Sequence, residues 1–212
     1  MRLTILNSSK RLSGLDEELK QNFDLAFKIL CKYFNLDELD VTVSPFEKGE
    51  APSSGIGGWG INRYRVEILL DTERQDIINV IRSEFPSVLA HEVHHIKRME
   101  LKLPGDTLAE HLIYEGLACH FEQIINGGNL PSLFKGIENN CWQSILTKMQ
   151  PMLGRKDFHF PDYFYCHDSE LYPKYAGYWV GFNLVDQYIK KNQISELEAL
   201  RLPAEVFFED TL

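Results

Sequence analysis

The amino-acid sequence predicts an α+β fold, with strands in its first third and helices in most of the remainder. Residues 62–70 alternate between inward and outward side chains, as a half-buried strand does. After Pro104, apolar residues instead recur at intervals of three and four, which is typical of one helix face. Strands followed by helices indicate an α+β domain.

The first third contains three strand candidates and one long helix. Short apolar runs at residues 2–6 and 41–43 predict strands, and residues 62–70 predict a longer one. Residues 15–34 predict an amphipathic helix. The side chains expected inside are Leu19, Phe23, Ala26, Phe27 and Leu30 of that helix, and Tyr64, Val66, Ile68 and Leu70 of the third strand.

The rest of the chain predicts helices. A short helix near residues 74–82 precedes one over residues 86–101, where Pro86 suits the first helical turn. Thr107 and Glu110 form a capping-box pattern that begins a helix over residues 107–125. Further helices are expected at 139–149 and 173–190, with short pieces within 195–209.

The pentapeptide HEVHH at residues 91–95 carries the strongest chemical signal. Residues four apart lie on one helix face, about 6 Å apart along the axis, so His91 and His95 can direct two imidazoles at one metal ion. Glu92 lies about 100° around the helix from His91, where its carboxylate can reach a water without binding the metal. A histidine cluster with no ligand role is the alternative.

A third ligand is expected from the next helix. Glu115 is the one carboxylate within YEGLA at residues 114–118, and burying it is costly unless a cation such as zinc pairs with it. A glutamate on the helix after HExxH is similar to the gluzincin pattern. The interval from His95 to Glu115 (115 − 95 = 20) is similar to that of thermolysin-like proteases.

HEVHH, YEGLA and YAGYWVGF at residues 175–182 together resemble the YjaZ-like family of predicted zinc-dependent proteases, over roughly residues 55–190. The resemblance implies one zincin-like domain, with an α/β lobe (1–103) carrying HExxH, a helical lobe (104–212) carrying the third ligand, and the metal between them. It also implies His91, His95 and Glu115 as zinc ligands and Glu92 as base. Thermolysin-like enzymes place an acidic residue four positions after the glutamate ligand, where this chain has Cys119, so the orientation of the ligand histidines is unexplained.

These features predict a zinc metallopeptidase that acts on a peptide or protein through a zinc-activated water, with Glu92 as general base. The tetrahedral intermediate needs a second electrophile, for which Tyr178 is the choice and Tyr175 and His167 are reserves. The alternative for the tyrosines is a packing role. A non-catalytic metal-binding or regulatory protein of the same fold is the alternative for the whole chain.

Composition argues against other partners. The net charge of −9, without clustered Lys and Arg, disfavours nucleic acid and anionic membranes. The chain shows no signal-peptide pattern and no membrane-spanning run. Four scattered cysteines without a CxxC pattern predict reduced thiols, and a cytoplasmic location is expected.

The glycine-rich segment GIGGWG at residues 55–60 satisfies the dinucleotide pattern GxGxxG, but it opens a strand and not a helix, which disfavours a nucleotide site. It is expected to be a flexible loop, or a glycine-rich approach to an edge strand at residues 62–70 that holds an extended peptide by strand addition.

The other histidines carry weaker signals. His94 is expected to be exposed or to hydrogen-bond near the site. His111 is either a partner of Glu115 or an ordinary surface residue. His120 and His159 give no signal. A cysteine nucleophile at Cys166-His167 is disfavoured because adjacent side chains do not normally meet.

Overall fold

The computed structural model describes residues 1–165 and 171–209, and it confirms the α+β prediction. The strands are β1 (Arg2–Ile5), β2 (Asp40–Pro45), β3 (Ile56–Asn62) and β4 (Arg65–Leu70). The α-helices are α1 (Asp16–Leu30), α2 (Ile77–Met99), α3 (Leu108–Ile125), α4 (Trp142–Met149), α5 (Phe160–Phe164), α6 (Ala176–Asn192) and α7 (Glu196–Ala199). Short 3₁₀ turns occupy Ser132–Phe134, Gln150–Met152 and Ala204–Phe208. None of the helices in the described ranges has the length and apolar character needed to cross a membrane.

The chain divides into two compact units. The first unit consists of Met1–Glu100 with Glu122–Ser132, and the second consists of Leu101–Phe121 with Leu133–Leu212. The division into lobes at residue 103 that the sequence suggested stays a prediction.

The first unit is built on a four-stranded sheet of order β1-β2-β4-β3. The first three strands in this order are parallel, and β3 pairs antiparallel with β4. In β4, Val66, Ile68 and Leu70 are fully buried while the residues between them are half-buried. Helices α1 and α2 pack on the sheet and on each other, which accounts for the buried side.

Three predictions about the sheet were wrong. The glycine-rich segment is neither a flexible loop nor an approach to an edge strand, because it forms β3 itself, at the end of the sheet order. The expected edge strand, β4, lies between β2 and β3. Tyr64 was expected inside, but it lies in the turn between these strands and is 43% exposed.

Helix α2 also differs from the prediction. Residues 77–99 form one helix with Pro86 inside it, and not two helices with Pro86 in the first turn of the second. An interior proline lacks the backbone donor for its turn and costs about 3 kcal/mol. Packing offsets this cost, since one apolar stripe continues past Pro86 without a break. Its fully buried members are Ile81, Phe85, Leu89, Val93 and Ile96.

The second unit is helical and has its own core. Thr107 and Glu110 form the predicted capping box at the start of α3: the Thr107 backbone N–H donates to Glu110 Oε2 (2.7 Å), and the Glu110 N–H donates to Thr107 Oγ1 (3.3 Å). Helices α4, α5 and α7 pack on α6. Aromatic rings fill much of the core, including stacked Trp179 and Phe182.

Helices α3 and α6 meet through two glycines. A Cβ added to Gly116 would overlap the backbone of Gly181, and a Cβ added to Gly181 would overlap the backbone carbonyl of Leu112. Both glycines belong to the motif elements YEGLA and YAGYWVGF. Their role is therefore to let the two helix backbones touch.

Candidate metal centre

Helix α2 presents the two histidines of HExxH side by side. The rings of His91 and His95 lie 4.6 Å apart between centroids and are perpendicular to each other. This arrangement follows from their four-residue spacing on a regular helix, which directs both side chains from one face. His95 is buried, and the side chain of His91 is 12% exposed.

The side chain of Glu92 extends from α2 towards the edge strand β3. Its residue is only 7% exposed, and its side chain lies over Gly58 of β3. A Cβ at Gly58 would stand 2.5 Å from Glu92 Cγ and 3.0 Å from Oε1, so any larger residue there would displace the carboxylate. Further along β3, a Cβ added to Gly60 would likewise lie close to the side chains of Ile96 and Met99, one and two turns beyond Glu92 on α2. The glycines that the sequence offered as a loop thus make room for the HExxH helix.

Glu115 of α3 is buried, as predicted for a third ligand. The ligand atoms of His91, His95 and Glu115 all lie within 4.8 Å of one another, and so do those of His91, Cys119 and Glu122. Two imidazoles and a carboxylate are a common ligand set of catalytic zinc sites. The first group therefore fits a zinc ion by the chemistry of its donors.

Sequence reasoning missed Glu122. Its Oε2 lies 3.3 Å from Nδ1 of His91, and its side chain is 6% exposed. Four positions after Glu115, where thermolysin-like enzymes have an acidic residue, this chain has Cys119, whereas Glu122 lies seven positions after Glu115 (122 − 115 = 7). Positions seven apart also share a helix face, and this periodicity could have revealed the residue.

His94 is more buried than expected, and His111 is half-buried at the start of α3. His94 is 1% exposed, so the expectation of solvent exposure was wrong; residues 93–96 are buried on all sides of α2. His111 Nδ1 lies 3.0 Å from the carbonyl oxygen of Thr107, and its ring contacts those of Phe158 and Phe160. These contacts place His111 in the packing at the start of α3.

His120 is buried and contacts two half-buried carboxylates, a charged cluster that the sequence did not indicate. Its Nδ1 lies 2.6 Å from Glu196 Oε1, and its Nε2 lies 3.3 Å from Asp186 Oδ1. Burial alone would lower the pKa of His120, but the hydrogen bonds to Asp186 and Glu196 outweigh it and raise this pKa to about 9. Burial raises the pKa of Asp186, yet its bonds to His120 and Lys190 hold it below the ordinary value. The partners stand 66 and 76 residues after His120, beyond the reach of local patterns.

Of the residues considered for the oxyanion, Tyr175 and Tyr178 lie at the start of α6. Tyr178 is half-buried, and its ring packs edge-on against Phe164 (5.2 Å between centroids). Tyr175 is the residue before the helix, in the left-handed conformation (φ 66°), with its ring 6.1 Å from that of Tyr178. The two phenols are therefore neighbours, although only Tyr178 is helical. His167 and Cys166 lie outside the described residues.

A family model described as "Predicted Zn-dependent protease (DUF2268)" matches residues 19–209. The match is wider than residues 55–190, on which the sequence resemblance rested, and it confirms the recognition of predicted zinc-dependent proteases. The description names zinc, in agreement with the buried His and Glu groups. No curated protein and no solved structure matches the chain significantly.

Proposed function

The chain belongs to the family of predicted Zn-dependent proteases, and from this premise we propose that it is a zinc metallopeptidase. His91, His95 and Glu115 are the proposed ligands, and Glu92 is the proposed general base. The observation that carries the proposal is the place of Glu92, which follows His91 on α2 and lies against the edge strand β3. A purely structural histidine pair would not require a buried carboxylate between helix and strand.

The chain's own groups supply the proton transfers. A zinc ion held by these ligands would polarise a substrate carbonyl and make a water more acidic. Glu92 would take a proton from the attacking water and then deliver it to the leaving amine. Glycine at position 58 leaves room for the Glu92 carboxylate beside the edge strand, because a Cβ there would overlap its side chain.

The edge strand favours an extended peptide as the substrate. Within the described ranges β3 pairs only with β4, so the backbone groups along its other side are available to another chain. A peptide added there would run about 5 Å from β3. It would bring a backbone carbonyl beside the helix face that carries Glu92, through backbone hydrogen bonds that require no particular side chain.

The proposal is tested by metal analysis and by cleavage. Protein purified without chelator should contain about one zinc per chain, and His91→Ala or His95→Ala should remove most of it. A peptide library incubated with the wild-type protein should be cleaved, and a chelator should stop cleavage until zinc is restored. Bound zinc without cleavage of any peptide would instead support the non-catalytic metal-binding protein. A wild-type protein that binds no zinc after supplementation would refute both.

A further inference from the structure

We propose that Glu122 positions His91: it accepts a hydrogen bond from Nδ1–H and so presents Nε2 to the metal. The part of this inference that concerns the metal rests on the proposed function. The hydrogen bond itself does not, because it is a contact within the protein (3.3 Å between His91 Nδ1 and Glu122 Oε2).

Burial makes this contact specific. The side chains of His91 and Glu122 are 12% and 6% exposed, so water can replace neither partner fully. A buried carboxylate without hydrogen bonds is strongly unfavourable. The arrangement in which the imidazole N–H donates to Glu122 is therefore lower in free energy than one in which it points elsewhere. This preference also fixes the rotation of the His91 ring.

The bond also selects a tautomer. An ionised carboxylate only accepts hydrogen bonds, so the facing nitrogen of a neutral His91 must carry the proton. The remaining nitrogen, Nε2, then carries the lone pair, which is the form that binds a metal. An acidic partner behind a ligand histidine also makes that histidine a stronger donor.

Helix geometry explains how a side chain at position 122 can hydrogen-bond to His91 in place of an acidic one at position 119. Glu115, Cys119 and Glu122 lie on one face of α3, since four and seven residues are close to one and two turns. A thiol is a short side chain and a weak acceptor. Long helical side chains point back towards the N-terminus, so Glu122 reaches over the turn that precedes it. Glu122, one turn further along the helix, thus takes the place of the acidic residue that is missing at position 119.

Imidazole nitrogen NMR on metal-free protein tests the bond directly. With ¹⁵N-labelled histidine near pH 8, His91 should be in the Nδ1–H tautomer in the wild type. Glu122→Ala should shift it to the Nε2–H tautomer that an isolated imidazole favours, and Glu122→Gln should shift it less because its amide oxygen still accepts. Glu196→Gln is the matched control, since it alters a second His–Glu pair, that of His120, and should leave the His91 signals unchanged.

Zinc competition titrations on the same proteins test the positioning. Glu122→Ala should bind zinc about 10- to 100-fold more weakly than the wild type, with Glu122→Gln between them. Glu196→Gln should bind zinc as the wild type does, even if its melting temperature falls. Melting of the metal-free variants separates weaker zinc binding from general unfolding.

The outcomes distinguish this inference from the proposed function. The positioning role would be overturned if Glu122→Ala left the His91 tautomer unchanged. It would also be overturned if the zinc affinity of Glu122→Ala stayed within about threefold of wild type, since a loss of about 10- to 100-fold is expected. Complete loss of zinc in both Glu122 variants would make Glu122 a ligand, which also overturns it. A wild type that shows the predicted tautomer but binds no zinc would refute the metallopeptidase and leave the hydrogen bond established.

Discussion

Two buried glutamates near the HExxH histidines differ in what they contact, and their proposed roles follow from that difference. Glu92 lies over Gly58 of the edge strand, where an incoming peptide would run. Glu122 lies against the Nδ1 side of His91. A carboxylate directed at substrate suits a base, and a carboxylate behind a ligand suits a positioning group.

Replacing Glu92 should separate metal binding from turnover. Glu92→Gln keeps the shape of the side chain over Gly58 and removes its basicity. We expect zinc content like that of the wild type and a loss of hydrolysis of several orders of magnitude, measured as kcat/KM on a cleaved peptide. Glu84→Gln, on the same helix and two turns earlier, is the control. Comparable turnover in Glu92→Gln would falsify the role of base, and loss of zinc would indicate a ligand.

Tyr178 is the proposed donor to the oxyanion. Tyr178→Phe keeps the ring that packs on Phe164, so folding, zinc content and ground-state peptide affinity should be unchanged. Losing the hydroxyl should cost roughly 2 to 4 kcal/mol of transition-state stabilisation, seen as a lower kcat with a similar KM. The control is Tyr188→Phe on the same helix. A kcat within about threefold of wild type would make Tyr178 a packing residue and leave Tyr175 and His167 as the residues to test.

Helix α3 carries several of the residues to which roles are proposed. Its face carries Glu115, Cys119 and Glu122, while Gly116 touches α6 and His120 joins α6 to α7. The position of Glu115 therefore depends on how closely α3 and α6 pack.

The glycine contact between α3 and α6 should be intolerant of a methyl group. In Gly181→Ala the new Cβ meets the backbone of α3, which cannot move aside as a flexible side chain can. We expect destabilisation of at least about 1 to 3 kcal/mol in denaturant unfolding. Gly154→Ala is the matched control, since nothing lies within 4 Å of its Cβ and its effect should stay within about 0.5 kcal/mol. Equal stability of the two variants would show that α3 and α6 do not pack this closely.

The His120 cluster should make stability depend on pH. Its pKa is about 9 in the folded chain and about 6.5 when unfolded, so its stabilisation is complete below pH 6.5. It is lost as pH rises from 6.5 through 9, by about 1 to 3 kcal/mol. The melting temperature of the wild type should fall over this pH range, and that of His120→Gln should fall less. His159→Gln, which alters a 71% exposed side chain, should behave like wild type. Parallel pH curves for wild type and His120→Gln would contradict the charged cluster.

At the scale of the whole molecule, zinc binding should be coupled to folding, because the unfolded chain does not assemble the ligands. At free zinc about a hundredfold above Kd, the native state gains about 2.7 kcal/mol. For a chain of this size that corresponds to roughly 5 to 11 °C in Tm. Thermal unfolding with zinc and with chelator measures the difference, and His91→Ala should abolish it. An identical Tm in both conditions would contradict zinc binding by the native chain.

Local patterns predicted most elements of the fold. The helix face of His91 and His95, the capping box of Thr107 and Glu110, and the alternation in β4 all depend on residues within a few positions of one another. The same local reasoning failed at Pro86 and at residues 56–62. There, packing of an apolar stripe and close approach of α2 to β3 outweighed the preferences of proline and glycine.

By itself the sequence determined the α+β class, the HExxH helix and the membership of a zinc-dependent family, because each depends on residues that are near one another in sequence or on a family pattern. Only the tertiary structure decided that Glu122 bonds to His91, that Gly116 meets Gly181, and that β3 is the edge strand. These contacts join residues far apart in sequence or depend on strand order. They are fixed by the packing of whole elements, and local periodicity, which can place Glu122 on the same helix face as Glu115, does not identify the partner that each residue contacts.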